Sequence, residues 1–179
     1  MNHFKSFNDH YGFRQGDRVI LLLSSLLQEI FWGESFFIGH IGGDDFFVGA
    51  RFNQDSNTLN TVIQCAQEVL LRFSHDVLAF YDEAARQKGY IEDYDREGKK
   101  RRFPLLSVTV VMVTLPSEQT LPSAEFLSQT VARLKKHAKD NGIACIIYPN
   151  NVTENNNPTS TLQTLHHPIS NHITLALHG

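Results

Sequence analysis

Apolar residues at positions 19, 20, 22, 23, 26, 27 and 30 recur with the 3.6-residue period of an amphipathic helix. They predict a helix from Asp17 to about Phe31, with Gly33 as its C-terminal stop. The pattern then shortens. Ser35–Ile41 and Phe47–Arg51 are short, aromatic and β-branched runs, separated by Gly42-Gly43-Asp44-Asp45-Phe46. This predicts a β-hairpin, because tight primed turns need positive φ and glycine supplies it. Helical spacing returns over Asn57–Phe73 and again over His75–Lys88, which ends near Gly89. The charged stretch Asp93–Arg102 reads as a loop or hairpin tip. Leu105–Leu115, rich in Val and Thr, reads as a buried central strand stopped by Pro116. Ser123 is a suitable N-cap for a helix reaching Asp140 before Gly142, and Ile143–Tyr148 reads as a final strand. This order predicts an α+β fold with helices packed on a mainly antiparallel central sheet.

From Pro149 to Thr161 the composition turns to Asn, Thr, Ser and Pro, the signature of a linker with little to bury. Residues 162–179 form a tail carrying His166, His167, His172 and His178 and an apolar run, Ile173–Leu177. The expected organisation is one domain over 1–148 followed by a polar linker and tail over 149–179. The whole chain, 179 residues with 41% hydrophobic and 20% charged content, is ordinary for a globular domain. Its net charge of −3 gives no general field to draw in nucleic acid or anionic lipid. The longest apolar stretch, Val19–Leu27, is too short to cross a bilayer, and no signal segment opens the chain, so a cytoplasmic location is expected. Cys65 and Cys145 lie in apolar segments and read as reduced core residues.

The chemistry centres on the hairpin tip. Adjacent carboxylates at Asp44 and Asp45 repel each other, and a turn that keeps both often holds a cation. A solvated acidic turn is the plainer reading of these two residues alone. Upstream stands His3-Phe4-Lys5-x-x-Asn8-Asp9-x-Tyr11-Gly12-x-x-x-Gly16-Asp17. Taken singly, Asn8 and Asp17 suit a turn and an N-cap, and Lys5 and Lys139 suit a solvated surface. His3, His10 and His40 have no metal-ligand spacing and read as structural or exposed. Lys99-Lys100-Arg101-Arg102 faces Asp93, Asp95 and Glu97 and reads as a self-neutralising loop.

Together the upstream motif and Gly42–Phe46 resemble a GGDEF domain, the module of diguanylate cyclases, over roughly residues 1–148. Phe37–Phe46, with Asp95-Arg96 and Phe103–Ser107, is similar to the GGDEF domains that follow EAL domains in larger signalling proteins. The resemblance implies a nucleotidyl-cyclase-like fold with a ferredoxin-like core. It implies binding of GTP or cyclic-di-GMP, Mg²⁺ as cofactor, and a homodimer in which two GTP-loaded domains meet. Asp44 would ligate Mg²⁺, with Asp45 in the place of the signature glutamate. Asn8 and Asp17 would read guanine. Phe4, Lys5, Gly42, Gly43 and Lys139 would lie along the substrate. Such chemistry, attack of a 3′-hydroxyl on an α-phosphate, depends mainly on positioning and charge neutralisation.

Four departures from an active cyclase accompany the resemblance. The family's first metal-binding aspartate belongs one residue before Met1, and Asn2 replaces a commonly acidic position. Asp45 is one methylene shorter than glutamate, which withdraws its carboxylate by about 1.5 Å; a misplacement of about 1 Å can cost on the order of 10²-fold in rate. Ile143 stands where an arginine is usual. Positions 33–36 read Gly-Glu-Ser-Phe, so the RxxD product-inhibition motif is missing. The family's first strand would also run centrally into Phe4-Lys5, leaving either an excised piece or a slot that another segment, such as His172–Leu177, fills. Two classes remain open: a degenerate guanine-nucleotide-binding regulatory module, or a cyclase active when a longer protein supplies the missing aspartate. A ferredoxin-like nucleic-acid binder fits less well, for want of positive charge and a paired aromatic platform.

Overall fold

The computed structural model describes residues 1–50, 56–94, 97–115, 123–148 and 163–166. Two compact units divide it, Met1–Val108 and Thr109–Gly179.

The first unit is built on its helices. A short helix α1 (Phe4–Tyr11) is followed after Gly12 by α2 (Phe13–Ile30). The predicted apolar stripe is the one α2 buries: Val19, Leu23, Leu26 and Leu27 are inside, with Gly16 at their N-terminal end. The helix starts four residues earlier than expected, so Asp17 lies within it and Gly12 is its N-cap. Helix α3 (Ser56–Asp76) runs without interruption through His75. It places Ala66, Val69, Leu70 and Phe73 inward, at the spacing of one helical face. A 3₁₀ turn, Val77–Phe80, and the extended Tyr81 separate it from α4 (Glu83–Lys88), so the expected single helix 75–88 is in fact two pieces. Asp82 causes the restart: its carboxylate accepts the Ala85 amide at 2.8 Å, and Gly89 closes α4 in the left-handed region.

The hairpin is present as β1 (Phe36–Gly42) and β2 (Asp45–Ala50), antiparallel, with Gly42 opposite Asp45. Gly43 takes φ 55° at the first of the two turn residues, which an L side chain would resist. Alternation sorts its side chains: Phe36, Ile38, Phe46 and Val48 pack against the core, while Phe37 and Phe47 meet on the opposite, exposed face with ring centroids 5.5 Å apart. Phe47 covers Gly39 so closely that a Cβ there would fall 2.2 Å from its ring. The charged stretch forms the second hairpin, β3 (Tyr90–Tyr94) with β4 (Lys100–Pro104). Its basic run is neutralised locally, Lys100 by Glu92 at 2.9 Å and Lys99 by Glu97 at 3.0 Å.

The first-unit core gathers Phe7, Val19, Leu23, Leu26, Phe73, Val77, Tyr81, Ile91 and Leu106. At its edge Asn2 bridges Ser107, its amide 2.7 Å from the Ser107 carbonyl, as the end of a strand would. The candidate slot-filling run, His172–Leu177, lies wholly outside the described residues, as do 149–161, Asp95-Arg96, Pro116 and three of the four tail histidines.

The second unit holds β5 (Val110–Val113), α5 (Ala124–Asp140), β6 (Ile143–Tyr148) and β7 (Gln163–His166). Strands β5 and β6 run parallel, and β7 joins β6 antiparallel. The expected long central strand 105–115 is therefore a four-residue edge strand of a three-stranded sheet, half-buried along its length. Ser123 caps α5 as expected, its hydroxyl accepting the Phe126 amide at 3.2 Å. Leu134, Ala138 and Ile143 form the core, flanked by Val111, Val113 and Phe126. Both cysteines are free thiols, and burial pushes Cys145 up to about 11. Among the described residues the fold is α+β, with strands in two hairpins and one mixed sheet.

Candidate functional site

The upstream motif folds as a helix-turn-helix. Gly12 stands at φ 83°, its amide donating to the Asn8 carbonyl at 2.8 Å to end α1. Its own carbonyl then accepts from Gln15 and Gly16 to begin α2. Asn8, Gly16 and Asp17 thereby come onto one pair of helices although eight residues of sequence separate the first two. Asn8 is half-buried, Gly16 buried and Asp17 exposed. The Asn8 Oδ1 atom is buried and has no hydrogen-bond partner. Phe4 packs partly into the core, while Lys5 is exposed beside it in the first turn of α1. The first amides of that turn have no intrahelical acceptor.

The acidic turn is tied to the start of the chain. Met1 N donates to Asp44 Oδ2 at 2.6 Å and to the Asp44 carbonyl at 3.1 Å. Two hard oxygens of one residue thus converge on a single nitrogen, with the Met1 side chain fully buried and the Asp44 side chain 31% exposed. Asp45 is the first residue of β2, half-buried, and not part of the turn tip. His40 braces the turn: its Nε2 donates to the Gly43 carbonyl at 3.0 Å, and its ring stacks on Phe46 at 4.4 Å. Among the described residues no group of three or more His, Cys, Asp or Glu converges as a metal cluster. The Asp44 carboxylate and carbonyl would still suit Mg²⁺, which commonly takes one or two carboxylates and completes its shell with water and substrate phosphate.

Lys139 is exposed in the last turn of α5, in the second unit. A depression of about 500 Å³ is lined by Phe31, Trp32, Gly33 and Glu34, none of them residues expected to touch nucleotide.

Several residues that hold this region were not singled out by their sequence. Tyr11 ends α1 by donating to Asp82 Oδ2 at 3.0 Å. Burial and that carboxylate raise its hydroxyl to about 12, while the Ala85 amide and Tyr11 hold Asp82 below the usual carboxylate range. Tyr81 lies edge-on to Phe7 and Tyr11, and its hydroxyl accepts the buried Leu106 amide at 2.8 Å. Burial raises that hydroxyl further still. His10 reaches Asp93 on β3 at 2.8 Å, a structural role in keeping with its spacing. The only local signal was Asp82 itself, a cap residue three positions before Ala85.

Residues 1–85 match the family model described as "Diguanylate cyclase, GGDEF domain". This stretch is a GGDEF domain sequence. It lies wholly inside the first unit and takes in both the helix-turn-helix and the acidic turn. GGDEF domains are modules of cyclic-di-GMP signalling, and residues 1–85 match that module. Among curated proteins and among solved structures, nothing matches the chain. No helix of the described residues is long and apolar enough to cross a membrane.

Proposed function

We propose that this GGDEF module is a degenerate guanine-nucleotide-binding domain that regulates and makes little or no cyclic-di-GMP. In this reading Asn8 and Asp17 contact guanine, and Phe4, Lys5, Gly42 and Gly43 flank the phosphates. Asp44 holds Mg²⁺ through its carboxylate and carbonyl, with Asp45 alongside; the ion neutralises phosphate charge when nucleotide is bound. The domain works in the cytoplasm, as a homodimer or under an upstream EAL-type domain of a longer protein.

What supports the binding half is the family match over residues 1–85, which takes in both the helix-turn-helix that carries Asn8 and Asp17 and the acidic turn that carries Asp44. The loss of turnover rests on Asp45, a shortened acid, and on Ile143, where a phosphate-pairing arginine is usual. Calorimetry with GTP and with cyclic-di-GMP, each with and without Mg²⁺, tests the reading when followed by a product assay. The expected result is Mg²⁺-strengthened GTP binding that Asp44→Ala abolishes, with no product. Robust synthesis by this chain would overturn it.

A second reading, an active cyclase, is favoured by one contact. Because Met1 N already touches Asp44, an acidic residue placed before Met1 in a longer chain would reach the same turn. Mg²⁺-dependent turnover of GTP by such a chain, absent from its Asp44→Ala variant, would decide for it.

A further inference from the structure

Gly16 is buried in the first turns of α2 without any backbone need for glycine, since it is not among the glycines with positive φ. Glycine weakens a helix relative to alanine, so a buried helical glycine asks for a packing reason. The reason lies across the helix pair. A Cβ built on Gly16 would fall 1.8 Å from Asn8 Oδ1 and 2.8 Å from Asn8 Cγ, far inside contact distance. The Asn8 carboxamide occupies the space that any side chain at position 16 would take. Its Oδ1 is turned inward there and accepts no hydrogen bond. A buried carbonyl oxygen left without a donor is costly, and its persistence calls for an explanation. Nδ2 lies 3.2 Å from the same point, so the whole carboxamide is seated against Gly16 with its oxygen nearest.

We propose that Gly16 is a positioning residue for base recognition: its missing side chain leaves the space in which the Asn8 carboxamide is seated, oxygen nearest to α2. Asn8 then offers donors, while Asp17, the next residue of α2, offers acceptors. A guanine edge has both complements, acceptors at O6 and N7 and donors at N1 and the 2-amino group, whereas adenine has no N1–H. Gly16 thus contributes to choosing guanine over adenine without touching either. The inference rests on the guanine-nucleotide reading above for its functional half and on packing alone for its structural half.

Four versions of this chain test it: the parent, Gly16→Ala, Asn8→Ala and the double variant, each measured by thermal unfolding and by calorimetry with GTP and with ATP. Gly16→Ala in the parent should lower Tm by about 4 °C or more, as an overpacked methyl does. The same substitution in the Asn8→Ala background should raise Tm by about 2–4 °C, because only the helix gain remains. GTP affinity should fall about five- to ten-fold in Gly16→Ala, erasing the preference over ATP, with no further loss in the double variant. If Gly16→Ala does not fold, a double variant that does fold supports the packing, and one that does not overturns it. Absence of the sign reversal in Tm also overturns the inference. A parent chain that prefers GTP and a Gly16→Ala variant that keeps that preference would overturn the positioning role and leave the proposed function standing. A parent chain with no preference for GTP would overturn both.

Discussion

The two units bury apolar surface on different scales. In Met1–Val108, helices α2 and α3 close over Phe7, Val19, Phe73 and Val77, each no more than 1% exposed, with the first hairpin laid against them. Among the described residues of Thr109–Gly179 one helix covers a short sheet, and the buried apolar residues are Leu134, Ala138, Ile143, Ala144 and Cys145, with half-buried neighbours. The matched family segment lies in the richer unit. The comparison teaches that the helix-turn-helix and the acidic turn are held by a core large enough to fix side chains. Lys139, the expected phosphate contact of α5, stands on a thinner scaffold.

The largest effect should come from emptying each core. Phe73 is fully buried between α2 and α3, so Phe73→Ala should cost about 3–5 kcal/mol in urea unfolding. Leu134→Ala removes less and leaves neighbours free to close in, so about 2 kcal/mol is expected. Hydrogen exchange supplies the sharper readout. Protection should fall across α2 and α3 for the first variant and across α5 and β6 for the second. Equal costs, or loss of protection in the same helices, would break the comparison.

A smaller difference concerns how each unit satisfies its polar groups. Tyr81→Phe keeps the ring but leaves the Leu106 amide, which now donates to the Tyr81 hydroxyl at 2.8 Å, buried without an acceptor. The expected cost is about 1–3 kcal/mol. In the second unit Ser123→Ala removes the cap of α5 at an exposed site where water can replace it, for about 1 kcal/mol. Thermal unfolding of both variants checks the order; a Ser123 variant hurt more than the Tyr81 one would mean that burial does not set the scale.

The same contrast explains what the sequence disclosed. The stripe of α2, the Gly42–Asp45 turn, the Ser123 cap and Gly89 are local, each written within a few residues, and each is present. Helix α1 was not read as a helix, because Phe4–Tyr11 is polar and short; it exists because Phe7 docks on Tyr81 and Tyr11 bonds Asp82, partners about 70 residues away. Strand β7 was missed for a like reason. Gln163-Thr164-Leu165-His166 has little strand character, and what orders it is the open edge of β6. Among the candidate site residues, Asn8 and Asp17 could be named from the motif. That Gly16 touches Asn8 follows only once Gly12 has turned the chain back.

The smallest expected effect is electrostatic and confined to the first unit. Asp93 on β3 is held below the usual carboxylate range, chiefly by the hydrogen bond with His10 and then by the Tyr94 amide. A carboxylate with a depressed folded pKa stabilises the fold at every pH above its unfolded pKa, near 3.9. That contribution is lost as pH falls below about 4 and through the lower folded value, since the protonated acid no longer gains from the pairing. Asp93→Asn should therefore be less stable than the parent at pH 7, by under about 1 kcal/mol for a pair this near the surface. The gap should close as both proteins are titrated from pH 5 toward pH 2.5. His10→Ala should remove most of the same dependence while leaving α5 protection unchanged. A gap that stays constant across that range would mean the Asp93 carboxylate gains nothing from α1, and that the end of the first helix is anchored by Tyr11 and Asp82 alone.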